Sequence, residues 1–207
     1  MIIDISQPLG PETVPWPGEP HLRQEWISSR ERGDRVNVAE IRLAVHLGTH
    51  VDGPAHTGDD HPPIAAAGLE PYVGPARVRH AIGARALGPE LLDGVDLRRT
   101  PRVLFRSRTR VDPRAFPHGF AGLTVELAER LVEGGARLVG TDAPSVDPQD
   151  SETLEVHRVL REGGVAILEN VVLDDVPEGE YTLVAAPLKL VCADSSPVRA
   201  LLIAPDP

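Results

Sequence analysis

The sequence predicts an α/β fold whose N-terminal part is rich in strands. Three observations predict it. Apolar residues alternate with period two in the first third of the chain. Two later segments carry helical spacing with caps and glycine stops. Short apolar runs flank both of those segments.

In chain order, "MIIDIS" reads as a short apolar strand and "LRQEWIS" as another. "VNVAEIRLAVH" alternates, with Ile41, Leu43 and Val45 on one face and Arg42, Ala44 and His46 on the other. "PRVLFRS" reads as a buried strand. "TVELAERLVEGG" reads as a helix capped by Thr124 and ended by Gly134 and Gly135, with Val125, Ala128 and Val132 marking one face. "ARLVGTD" then completes a β-α-β unit. "DSETLEVHRVLREGG" reads as a second helix, capped by Asp150 or Ser151 and stopped by Gly163 and Gly164. The strands "VAILENVVL", "YTLVAAP" and "VRALLIA" follow. No repeat or low-complexity linker interrupts the 207 residues, so one domain is expected over 1–207. The 21 prolines and 19 glycines are dispersed as turns and ordered loops.

A net charge of −10 argues against a nucleic-acid partner, which needs a basic stripe, and against docking on an anionic membrane. No apolar run approaches the roughly 20 residues of a membrane helix. The N-terminus lacks the pattern of a signal peptide, so a cytoplasmic location is expected. The single cysteine, Cys192, excludes an internal disulfide and all-cysteine zinc sites. It reads as a small buried residue beside a strand. Aromatic residues are only 3% of the chain, so the core must be aliphatic.

The segment "VHLGTHVDGPAH" holds three of the eight histidines and an aspartate. Without cysteine, neutral imidazole and carboxylate are the usual ligands for zinc-like cations. His46 and His50 would lie roughly 13 Å apart along a straight strand, too far to share one ion. The segment must therefore bend, at Gly48 or through one helical turn. Gly53 and Pro54 then redirect the chain and present His56. Three protein ligands leave room for water, as in catalytic sites, and Asp52 has a second oxygen for a second ion. His157 lies on the apolar stripe of its helix, where it either packs or ligates. Glu169 shares strand parity with Val165 and Ile167, and either reaches solvent or is paired. His21, His61, His80 and His118 read as surface residues.

"HLGTHVDGPAH" resembles the H-x-G-T/A-H-x-D-A/G-P-x-H motif of the cyclase family, which takes in bacterial kynurenine formamidases and isatin hydrolases. "DISQPLGPETVPWPGEP", "LVGTDAPSVDPQDSETLEVHRVL" and the tail from "GGVAILENVVL" resemble the kynurenine formamidase branch, so matching segments run through most of the chain. The resemblance implies a swivelling β/β/α domain, a mixed sheet with flanking helices, assembled as a homodimer. It implies two divalent ions per subunit, zinc first and manganese second. His46, His50 and Asp52 would hold one, and Asp52, His157 and Glu169 the other. His56 would be the general acid/base, and Trp16 would contact the aromatic ring of an aryl formamide substrate. Leu47 and Gly53 depart from the residues common among relatives. Leu47 is expected to alter the pocket, and Gly53 to loosen its turn.

The activity so implied is hydrolysis of N-formyl-L-kynurenine to L-kynurenine and formate, a step of tryptophan degradation. A serine route lacks its G-x-S-x-G elbow. The alternatives are hydrolysis of another small aryl or cyclic amide, as by isatin hydrolase, and a non-catalytic metal-binding protein.

Overall fold

A computed structural model describes residues 1–58 and 62–205; His61 lies outside them. The strands are β1 (Ile2–Asp4), β2 (Arg23–Ser28), β3 (Val38–Arg42), β4 (His50–Asp52), β5 (Val73–His80), β6 (Ala86–Leu87), β7 (Arg102–Arg106), β8 (Gly122–Leu123), β9 (Leu138–Thr141), β10 (Ala166–Glu169), β11 (Gly179–Val184), β12 (Ser195–Pro197) and β13 (Leu201–Ile203). The helices are α1 (Val125–Glu133) and α2 (Glu155–Glu162). One mixed sheet takes the strand order β1-β13-β11-β5-β7-β9-β10-β4-β12. Its centre, β5-β7-β9-β10, is parallel, and the strands on both sides of that centre are antiparallel.

Strands β7, β9 and β10 are apolar on both faces because both faces are covered. Val103, Phe105, Val139 and Ile167 point into a core shared with Leu127 and Leu131 of α1 and Leu160 of α2. Their neighbours Leu104, Leu138 and Leu168 belong to a second core with Val51, Leu183 and Leu202. The period of two along each strand thus divides the aliphatic residues between two layers.

Helix α1 starts as the sequence predicts, with the Thr124 hydroxyl accepting from the Leu127 N–H, and it stops at Gly134. Helix α2 does not use the expected cap. Ser151 Oγ accepts from the Leu154 N–H, before the helix begins. N–H groups of its first turn, of Val156 and His157, donate instead to the carboxylate of Asp147 at 3.0 Å each. The chain passes through Leu154 in the left-handed region, φ +46°, which sets Asp147 rather than Asp150 under the helix end.

The alternation predicted for residues 36–46 forms no core face. β3 pairs only with β2, and this two-stranded hairpin stands apart from the main sheet with Trp26, Ile27, Val38 and Ile41 exposed. The strand ends at Arg42, before His46. β5 escaped the pattern because Gly74, Pro75 and three polar residues interrupt its apolar positions. Cys192 is exposed rather than buried, since it lies in the turn before β12 and not in a strand. His80 is half-buried, with a ring nitrogen donating to the Val176 carbonyl at 2.9 Å, while His21 and His118 are exposed as expected.

Gly48 makes the bend that the histidine spacing demands. Its φ is +66°, and a Cβ there would sit 2.4 Å from Leu9 Cδ2. Gly48→Ala is expected to cost about 1–3 kcal/mol through the left-handed backbone, since the exposed Leu9 side chain can swing aside. Thermal unfolding of the metal-free protein measures it, and an unchanged midpoint would show that the bend tolerates a side chain. Gly53 is not a loose turn. Its N–H donates to the Asp194 carbonyl at 2.8 Å, and a Cβ would lie 2.4 Å from that same oxygen. Leu47 is buried and does not line the cavity beside the histidines.

Candidate metal centre

Strand β4 is the axis of the site. It lies between β10 and β12, with His50 opposite Glu169 and Asp52 opposite Ser195. Two residues 119 positions apart in sequence, His50 and Glu169, therefore become neighbours through backbone register alone. The Gly48 bend folds His46 back over this strand, so that the His46 and His50 rings stand 4.8 Å apart, edge to face. Thr49 ties the bend down. Its hydroxyl donates to the Asn170 carbonyl at 2.6 Å and accepts from the Gln7 N–H at 2.8 Å. Helix α2 brings His157 from the other side.

The five residues expected as ligands lie together, but not divided as expected: His50 groups with Asp52 and Glu169, and His157 belongs to neither donor triplet. Asp52 Oδ1 lies 3.3 Å from His46 Nδ1 and 3.5 Å from His50 Nε2, and Asp52 Oδ2 lies 3.4 Å from His157 Nε2. Glu169 lies 3.3 Å from His50 Nε2 and 3.5 Å from His157 Nε2. The tightest triplets of donor atoms are His46, Asp52 and His56, and His50, Asp52 and Glu169, each spanning no more than 4.8 Å. His56 thus stands inside the first group, its ring 4.2 Å from that of His46.

The donor set fits divalent cations. His50 Nε2 and Asp52 Oδ2 are buried with no hydrogen-bond partner among the described residues, an arrangement that is costly unless an ion satisfies them. Separations of 3.3–3.5 Å are long for hydrogen bonds and suit atoms arranged about an ion with ligand bonds near about 2 Å.

Each ring also donates outward, which selects the nitrogen that faces inward. His46 Nε2–H donates to Asp194 at 2.7 Å, His50 Nδ1–H to the Gly48 carbonyl at 2.9 Å, and His157 Nδ1–H to Asp147 at 2.6 Å. Ser195 Oγ donates to Asp52 at 3.2 Å. Asp147 and Asp194 were not found from the sequence. Asp147 lies ten residues before His157 in a loop, and Asp194 sits in "CADSS"; neither position carries a periodic signal. Asp147 does two things at once, capping α2 and orienting its histidine. Asp147→Ala is expected to destabilise the protein by about 2–4 kcal/mol and to weaken metal binding by about 10–100-fold. Denaturant unfolding and calorimetric metal titration measure the two effects, and an unchanged metal affinity would reduce Asp147 to a helix cap.

Without a metal ion, the carboxylates of the cluster favour protonation of its histidines. Burial opposes the charged ring of His157, but Asp147, Asp52 and Glu169 outweigh it and push its pKa up to about 12. His50 is likewise desolvated, and Asp52 and Glu169 raise it to about 10. Burial raises Asp52, but the surrounding histidines hold it well below the ordinary carboxylate range.

The cluster opens onto a cavity of about 290 Å³ bordered by His46, His50, His56, His157 and Glu169. Trp16 borders it, edge-on to Phe116 at 5.3 Å and to Phe120 at 6.3 Å.

The Cyclase family model matches residues 3–148, well over half of the chain. The chain belongs to the cyclase family. Its fold is also that of solved relatives. A structure described as a potential metal-dependent hydrolase with cyclase activity superposes with a TM-score of 0.87 at 28% identity, over 100% of this chain and 99% of the other. A predicted metal-dependent hydrolase from Bacillus stearothermophilus gives 0.82 at 29% identity, over 98% and 97%. Isatin hydrolase A from Labrenzia aggregata, bound to benzyl benzoate, gives 0.85 at 26% identity, over 99% and 94%. The cyclase-family fold expected from the sequence is therefore present, with the mixed sheet and its two helices. Among the described residues no helix is long and apolar enough to cross a membrane.

Proposed function

We propose that the protein is a metal-dependent hydrolase of aryl amides and that its substrate is N-formyl-L-kynurenine, cleaved to L-kynurenine and formate. The observation that carries this reading is the convergence of three histidines, Asp52 and Glu169 beside an aromatic-walled cavity that also receives the His56 ring. His46, His50, His157, Asp52 and Glu169 would hold two divalent ions, zinc or manganese. When bound, such ions acidify a water and polarise a carbonyl.

The rest of the chemistry belongs to the chain. Trp16 and Phe116 orient the aryl ring and keep water from it. His56 Nδ1–H donates to Asp194 at 3.2 Å, which leaves Nε2 free to take a proton and return it. An arylamine leaves poorly unless protonated, and His56 would supply that proton at the amide nitrogen. A homodimer is part of this proposal, and the exposed β2–β3 hairpin is the surface we assign to the second copy. Ile41→Glu in that hairpin would then yield monomers by light scattering, and an unaltered mass would remove the assignment.

A second reading has support of its own. Isatin hydrolases lie among the similar structures, so opening of a cyclic aryl amide fits the same machinery. Purified protein should be given N-formyl-L-kynurenine and isatin side by side, before and after chelation, with its metal content measured. Formate release that chelation abolishes supports the first reading, and ring opening of isatin alone supports the second. Metal content without turnover of either would leave a metal-binding protein.

A further inference from the structure

Two charged side chains border the cavity that the hydrolytic machinery does not use. Arg108 is half-buried in its wall, which it shares with a neighbouring surface groove. The guanidinium reaches only a main-chain oxygen, that of Asp142 at 3.3 Å, and no carboxylate lies within 4 Å of it among the described residues. Its backbone is held firmly. The fully buried Asp142 carboxylate accepts from the Ser107 N–H, the Ser107 hydroxyl and the Arg108 N–H, between 2.6 and 3.0 Å. A buried acid thus serves to fix the loop that carries Arg108.

Glu19 borders the same cavity. Its N–H closes a tight turn onto the Trp16 carbonyl at 3.0 Å, so the turn that presents the indole also presents this carboxylate. Glu19 Oε2 is buried and has no hydrogen-bond partner among the described residues. The third charged wall residue outside the metal cluster, Asp112, is exposed and already paired with Arg114. Asp142, Asp174 and Asp112 act on the Arg108 charge from a distance, but no carboxylate contacts its guanidinium, and Glu19 Oε2 lacks a partner among the described residues; a ligand carrying both charges in this aromatic-walled cavity would satisfy the two groups.

We propose that this cavity selects aryl substrates whose side chain ends in a zwitterionic α-amino acid, with Arg108 receiving the carboxylate and Glu19 the ammonium group. The planar guanidinium suits bidentate capture of a carboxylate, and a carboxylate oxygen suits an ammonium. The inference deepens the proposed function and rests on it for the identity of the reacting bond. It separates the two readings, because isatin carries neither charged group.

The test is binding to the metal-loaded protein, measured by calorimetry. The probes are L-kynurenine and 2-aminoacetophenone, which lacks the amino-acid end. L-Kynurenine should bind at least about tenfold more tightly. Arg108→Met and Glu19→Gln should each bring that ratio toward unity, and Arg108→Lys should restore part of it. A wild-type ratio near unity overturns the inference without recourse to any variant, and so does a ratio that neither substitution changes. Head-selective binding with no release of formate from N-formyl-L-kynurenine would remove the proposed reaction and leave this inference standing. Release of formate with indifferent binding would do the reverse.

Discussion

Asp52→Asn is expected to lower turnover by at least about 10³-fold and to strip the protein of most of its metal. The substitution keeps the volume and removes the charge. Asp52 is the one residue common to both triplets of donor atoms, one oxygen facing His46 and His50 and the other facing His157. An amide could not neutralise the two cations proposed for this site, and its NH₂ would point a donor into it. The metal-free protein should also lose about 3–5 kcal/mol, because the buried rings of His50 and His157 would keep their charge without their shared counter-ion. Elemental analysis, formate release and unfolding in chelator measure the three effects. Full metal content with near wild-type turnover would show that Asp52 does not join the two halves of the site.

His56→Gln is expected to lower kcat by about 10²–10⁴-fold while the protein keeps its metal. Glutamine can still donate to Asp194, so the local fold should persist, but it cannot carry a proton between two partners. The ring stands within the donor group of His46 and Asp52, and this gives the experiment its edge. If metal content falls in step with activity, His56 is a ligand and the acid lies elsewhere. If metal stays and turnover falls, the proton-carrying role holds. Unchanged turnover would exclude both.

Much of the site could be read before the fold was known, for a chemical reason. Three imidazoles and a carboxylate crowded into eleven residues, with glycine where a bend is needed, have few uses other than ligation. The bend is present, at a backbone angle that favours glycine. His157 and Glu169 were legible only as ambiguous residues, since a histidine on an apolar stripe and an acid at a strand end each have an ordinary explanation. The hairpin misled the reading. Alternation in residues 36–46 signals a strand with two unlike faces, but it does not say whether anything in the same chain covers one of them. β5 was missed for the opposite reason, because its core positions are few and its other face is polar.

The sequence by itself marked the histidine- and aspartate-bearing segment 46–56 and its need for a bend, the two helices and the aliphatic strands that divide the core into two layers. These are local properties, settled by side-chain chemistry and by periods of two and three to four residues. Only the tertiary structure decided that His50 faces Glu169 across β4 and β10, that Asp147 and Asp194 hold the outer nitrogens of the rings, and that Arg108 and Glu19 border one cavity. Those pairings come from strand register and from loops held by buried hydrogen bonds, and no local pattern records which distant segment a strand will choose.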